Sequence, residues 1–230
     1  MNEMTDLLSR QRLIFGDGLE NKAMTILGVG GIGSNVAHIA ASVGIEKIFL
    51  IDFDDVAEEN LYPGFFSGSV DLGANKAHAV AGDLLNRLSI DSEHRYIDFM
   101  TFSRFSQLRG SYTPIMMVCT DNIESRMEMW EFCKGKDCLY IDGRMGGVEA
   151  EVYAFRANDE DAAARYEPTL EGEFAHLPCG MKATAAMTKG WIPGMVGQVL
   201  YDISIGRDPQ FKQQYSLGNR MLLKPGANNG

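Results

Sequence analysis

Four glycines fall within six residues, Gly28-Val29-Gly30-Gly31-Ile32-Gly33, after a short apolar run and before a stretch rich in Ala, Ile and Val. Glycine is needed where a backbone must turn tightly and approach a phosphate or nucleotide closely. A helix starting there adds free N–H groups and a partial positive charge. Asp52 lies 19 residues beyond Gly33, at the end of the next apolar run. A carboxylate at that place accepts hydrogen bonds from both hydroxyls of a ribose. These two features fit a nicotinamide dinucleotide as well as a nucleoside triphosphate.

The residues downstream separate the two. Asp52-Phe53-Asp54-Asp55-Val56 is followed by Glu58-Glu59-Asn60-Leu61, then Gly73-Ala74-Asn75-Lys76, then Cys119-Thr120-Asp121-Asn122; Ser9-Arg10-Gln11 lies near the N-terminus. On a parallel sheet, Asp52, Asn60, Lys76 and Asp121 fall at or just past strand C-terminal ends, or at helix starts. The ligand crevice of such sheets lies there. They read as ribose at Asp52, phosphates at Lys76 and Asn60, and magnesium (Mg2+) at Asp121. Hydride transfer needs neither a lysine nor a metal-binding aspartate beside the pyrophosphate, whereas phosphoanhydride chemistry needs both. Each residue also has a plainer reading. Arg10 and Lys76 fit solvated surface positions, Asn60 fits a turn, and Asp121 fits a helix cap.

Those residues need a scaffold. Residues 24–29 and 46–51 read as buried strands around a helix at 31–44 that stops at Gly44, one parallel crossover unit. The pattern continues with a helix at 73–88, an extended segment at 94–99, a strand at 114–119, a helix at 122–135 and a strand at 138–142. Alternation with short links predicts an α/β fold, a doubly wound, mostly parallel sheet with a Rossmann-like glycine loop. Residues 149–156 alternate apolar and polar, as a half-exposed strand does. Residues 157–178 read as a long surface loop, 180–204 as a helix interrupted by glycines and Pro193, and 206–230 as a C-terminal tail, loosely ordered past Lys224. With an N-terminal arm over 1–22, the chain is expected to form one domain over 1–230.

Composition narrows the function classes. The 230 residues are 45% hydrophobic, enough for one sizeable core. A net charge of −10 argues against a nucleic-acid partner, whose phosphates are bound by Lys and Arg. No apolar run reaches the ~18 residues of a membrane span, and the polar segment 1–11 is no secretory signal. A cytoplasmic protein, with no membrane partner, is the expectation. Cys119, Cys133, Cys138 and Cys179 form no C-x-x-C pair, so a thiolate zinc site is not expected, and His38, His78, His94 and His176 show no metal spacing.

Taken together, S-R-Q, G-x-G-G-x-G-S, D-F-D-x-V, N-L, G-x-x-K and C-T-D-N occur in one order over about residues 7–205. In this the chain resembles the ThiF/MoeB family, the adenylating fold shared with ubiquitin-activating enzymes. The resemblance implies that Gly28, Gly30, Gly31 and Gly33 cradle ATP, with Asp54 and Asn122 beside them. It implies that Asp52 binds ribose, Lys76 contacts phosphates and Asp121 holds magnesium. Arg10 would reach the ATP of the other protomer of a homodimer. The implied substrate is the C-terminal carboxylate of a ubiquitin-like or sulfur-carrier protein, which attacks the α-phosphorus to give an acyl-adenylate and pyrophosphate.

The chain departs from the family in places. N-L-x-R-Q in the family is Asn60-Leu61-Tyr62-Pro63-Gly64 here, so a phosphate-binding arginine is replaced by Pro63. A charge-assisted contact of about 1.5–3 kcal/mol is missing. Arg144, which follows a strand end, is a candidate replacement. Cys179, in Leu177-Pro178-Cys179-Gly180, stands where ubiquitin-activating enzymes carry a thioester cysteine, but Gly180 replaces the threonine that follows it in the family. A thiol at a helix start is activated as thiolate. Three functions remain open at this point: an adenylyltransferase, an NAD(P)-dependent oxidoreductase, and a nucleotide-binding scaffold without chemistry.

Overall fold

The structure is a computed structural model and describes residues 9–19, 21–45, 47–61, 64, 66, 68–87, 96–100, 113–146, 148–171, 186–216 and 221–223. Its short apolar runs become the centre of one sheet. β1 (Ala23–Leu27), β2 (Lys47–Ile51), β3 (Tyr96–Met100), β4 (Ile115–Val118) and β5 (Leu139–Gly146) run parallel. β6 (Glu149–Arg156), β7 (Lys212–Ser216) and β8 (Met221–Leu223) continue the sheet antiparallel, in the order β3-β2-β1-β4-β5-β6-β7-β8. The strand order reverses between β1 and β4, and a doubly wound sheet opens its ligand crevice at that reversal.

Helices cover both faces. On one lie α2 (Gly33–Val43), α5 (Lys76–Arg87) and α8 (Ala186–Ser204), which bury Val36, Leu84 and Val199 against Ile26, Leu50 and Ile141. On the other lie α6 (Ile123–Cys133) and α7 (Glu160–Tyr166). There Trp130 packs edge-on against Tyr140 and Tyr166, at 5.2 and 5.3 Å between ring centroids. Short helices α3 (Glu58–Leu61) and α4 (Gly68–Asp71) follow β2, and α1 (Ser9–Phe15) docks through Phe15 on Tyr201 of α8. Among the described residues no helix is long and apolar enough to cross a membrane.

Three expectations change. β6 is not half exposed: six of its eight positions are buried, Glu151 among them. Its polar positions face a second packed layer, where Glu151 pairs with Lys212 at 2.7 Å and accepts from the Tyr153 hydroxyl at 3.2 Å. Residues 157–178 are not wholly a loop. The Asp159 carboxylate caps α7 by accepting from Ala162 N–H at 3.0 Å, and a 3-10 turn over Glu167–Leu170 follows; 172–178 lie outside the described residues. The segment expected as a tail contains β7 and β8, and Pro193 sits inside α8, which continues past it.

Candidate functional site

The glycine loop is shaped by backbone crowding. Gly28 has φ of +85°, and a Cβ there would lie 2.9 Å from the Cys119 and Thr120 backbone. A Cβ on Gly33 would overlap the Gly28 carbonyl oxygen. The first glycine thus lets β1 pass β4, and the last lets α2 start directly over the strand end. Gly30 differs, because a Cβ there would meet nothing within 4 Å. No side chain caps α2; Ser34 N–H donates to Gly30 O at 3.1 Å, and the positive dipole end of the helix lies at the glycine loop.

The turn after β2 faces this loop. The Asp52 carboxylate accepts from Val29 N–H at 2.6 Å and Asp54 N–H at 2.9 Å. Each oxygen keeps a second lone pair for a ribose hydroxyl. Burial pushes the Asp52 carboxyl above its ordinary value, against the pull of the two N–H groups and the Lys76 charge. Lys76, the first residue of α5, is buried, and its Nζ donates to Asp54 Oδ2 at 2.8 Å. The turn after β2 and the start of α5 therefore hold an ammonium near the Asp52 carboxylate.

Asn75 locks this arrangement, a residue the sequence reading left out. Its Nδ2 donates to the carbonyls of Asp52 (3.1 Å) and Asp54 (3.2 Å), and its Oδ1 accepts from Ala77 and His78 N–H at 3.0 and 3.3 Å. An Asn just before a helix was the visible signal. Asn60 spends its Oδ1 on Ala57 N–H at 3.0 Å, which leaves its NH2 for a ligand. Pro63 lies outside the described residues; a Cβ on Gly64 would reach 3.3 Å from Ser34 Oγ, so Gly64 borders the start of α2.

Past β4, Asp121 is exposed and, among the described residues, makes no hydrogen bond. The cap of α6 is Asn122 instead, whose Oδ1 accepts from Ser125 N–H at 2.8 Å. A magnesium ion is held by one or two carboxylates together with substrate phosphates and waters. An exposed Asp121 and a half-exposed Asp54 fit that donor set, and no His/Cys/Asp/Glu metal cluster exists among the described residues.

Arg144 is not a replacement for the arginine missing at Pro63. It is buried, with Nε on Asp142 Oδ2 at 2.7 Å and its two Nη atoms on Thr169 O and Oγ1 at 3.0 and 2.9 Å. Asp142, fully buried, also pairs with Arg126 and accepts from the Tyr166 hydroxyl at 2.8 Å. Arg126 in turn donates to the Thr120 carbonyl at 2.6 Å, one residue before Asp121. Sequence offered no sign of this buried Arg126, which sits in a helix that exposes Glu124, Met127, Glu128 and Glu131.

Arg10 is exposed on α1 and has no hydrogen bond or ion pair among the described residues. Cys179 lies outside them. Cys119, Cys133 and Cys138 are buried free thiols, and burial holds the Cys119 thiol far above its ordinary value.

The pattern of the ThiF family matches residues 8–223. A Drosophila simulans relative named ubiquitin-like modifier-activating enzyme 5 is 26% identical over 75% of this chain and 46% of its own length. The Drosophila mojavensis protein of that name is 30% identical over 98% of this chain and 63% of its own. The chain thus spans about half the length of the first of these relatives and less than two thirds of the second. In fold it is similar to E. coli MccB crystallised with ATP, with a TM-score of 0.69 at 18% identity over 92% of this chain and 65% of that one. It is similar also to PaaA, with a TM-score of 0.73 at 19% identity over 96% of this chain and 72% of that one.

Proposed function

The chain belongs to the ThiF family, and from this we infer an ATP-dependent adenylyltransferase that activates the C-terminal carboxylate of a small ubiquitin-like or sulfur-carrier protein or peptide. The observation that carries the reading is the linked pair at the crevice. Asp52 faces the glycine loop, and Lys76 is held beside it through Asp54 at 2.8 Å. A carboxylate for ribose and an ammonium for phosphates then stand in one rigid turn. The name of the Drosophila relatives supports the substrate class, as do the MccB structures with ATP and with N-formylated MccA.

In the proposed reaction a substrate carboxylate oxygen attacks the α-phosphorus, the α–β phosphoanhydride bond breaks, and pyrophosphate leaves with an acyl-adenylate formed. Asp52 orients the ribose, the α2 N-terminus and Lys76 bind phosphate oxygens, and the NH2 of Asn60 adds a neutral donor. Asp121 would hold magnesium, which neutralises phosphate charge. Catalysis of this kind rests on positioning and charge, without a general base. The assembly we propose is a single domain over residues 1–230 in a cytoplasmic homodimer, with Arg10 reaching the partner's nucleotide. Cys179 is the proposed acceptor if the acyl group passes to a thioester.

Magnesium-dependent exchange of labelled pyrophosphate into ATP, with carboxylate partners, tests the reading. Exchange lost in Asp121→Ala supports it; nicotinamide binding without ATP binding overturns it. A hydroxylamine-sensitive partner adduct lost in Cys179→Ala supports the thioester step. A scaffold that binds nucleotide without chemistry is the second reading, favoured by Pro63 and by Arg144 being fully engaged elsewhere. ATP binding without exchange across a broad partner set is its expected result.

A further inference from the structure

The geometry points to Asn75 as a positioning residue that sets the distance between the ribose-binding and phosphate-binding ends of the crevice; this rests on the ATP reading above. One amide uses its full hydrogen-bonding capacity across two elements. Its two donors take the Asp52 and Asp54 carbonyls, and its oxygen takes Ala77 and His78 N–H at the start of α5. Asp52, whose carbonyl Asn75 takes, carries the proposed ribose carboxylate, and the residue after Asn75 is the proposed phosphate lysine. Around it the chain forms a small antiparallel clasp: Lys76 N–H donates to Asp54 O at 2.9 Å, Val56 N–H to Ala74 O at 2.8 Å, and Gly73 N–H to Val56 O at 2.9 Å. The Asp52 carbonyl lies beyond the clasp's backbone bonds, and among the described contacts it is the Asn75 side chain that reaches it.

The two functions of Asn75 are separable by chemistry. Oδ1 caps a helix, which any short oxygen-bearing side chain does. Nδ2 bridges to the turn after β2, which needs an N–H donor that Ser and Thr do not supply at that position. Removing the bridge leaves each binding end intact but lets their separation vary. A ligand that spans both ends then loses affinity, while a ligand that touches one end does not, because pre-organisation serves the spanning ligand alone.

The experiment compares wild type with Asn75→Ser and Asn75→Thr by calorimetric binding of three probes: ATP with magnesium, adenosine, and inorganic tripolyphosphate with magnesium. Thermal midpoints are recorded beside them, and both variants keep the cap, so near-wild-type midpoints are expected. About fivefold to tenfold weaker ATP binding is expected in both, for two lost hydrogen bonds, with adenosine and tripolyphosphate unchanged. Faster amide exchange over residues 52–56 without ligand supports the bridge independently of any nucleotide. The inference is overturned if both variants bind ATP as wild type does, or if adenosine and tripolyphosphate weaken by the same factor as ATP. Failure of wild type to bind ATP, with fast exchange still seen in the variants, overturns the nucleotide reading and not the bridge.

Discussion

At the scale of single residues, Asp52 and Lys76 are expected to fail differently. Lys76→Ala removes a charge-assisted contact to phosphates, about 1.5–3 kcal/mol, so KM for ATP should rise tenfold or more while adenosine binding holds; equal losses for both would refute a phosphate role. Asp52 titrates above the ordinary 3.8 because burial penalises its charge. Its folded value lies above its unfolded one. Its contribution to stability is therefore fully present below 3.8 and is lost as pH rises through the folded value. Ribose binding needs the ionised form, so adenosine affinity should fall, as pH drops, at a pH above 3.8. A midpoint at or below that value, measured by calorimetry against Asp52→Ala, would contradict the role. The places of both, just past a strand end and at a helix start, were legible in the sequence. Arg144 was misjudged from the same signal. A strand-end position does not reveal that Asp142 and Thr169 already occupy its guanidinium.

At the scale of elements, legibility followed periodicity. β1, α2, β2 and α6 were visible as apolar runs and caps. β6 misled because its alternation of Glu151 and Tyr153 with Ala150 and Val152 looks like one wet face; Lys212, 61 residues on from Glu151, supplies the charge that lets the face be buried. The same layer predicts its own fragility. Asp142→Ala would leave two buried guanidinium groups without their anion and should cost roughly 3–5 kcal/mol. Trp130→Ala, which empties a site enclosed by Tyr140, Phe155 and Tyr166, should cost about 3–5 kcal/mol. Chemical denaturation measures both, and a loss under 1 kcal/mol for either would show that the layer adjusts freely, below the usual range.

At the scale of the whole molecule, the sheet order divides labour. Its parallel half, β3 to β5, ends at the crevice, and its antiparallel half, β6 to β8, lies beyond the strand that carries the Asp142 cluster. The parallel half was readable from alternating strands and helices. In the antiparallel half β6 was read as a strand, but β7 and β8 were not, since they are short and set among Gly and Asn residues with no periodicity. The glycine loop joins the two concerns, and a deep mutational library can pull them apart. Under selection for a folded, protease-resistant chain alone, variants at 28 and 33 should vanish, because backbone atoms occupy the space any side chain would need, while variants at 30 should persist in space that is open. Under selection for nucleotide retention, position 30 should empty as well. Three glycines that look alike in the sequence would then sort into two that the architecture demands and one that the ligand demands, and the difference between the two enriched pools would locate the ligand without a bound structure.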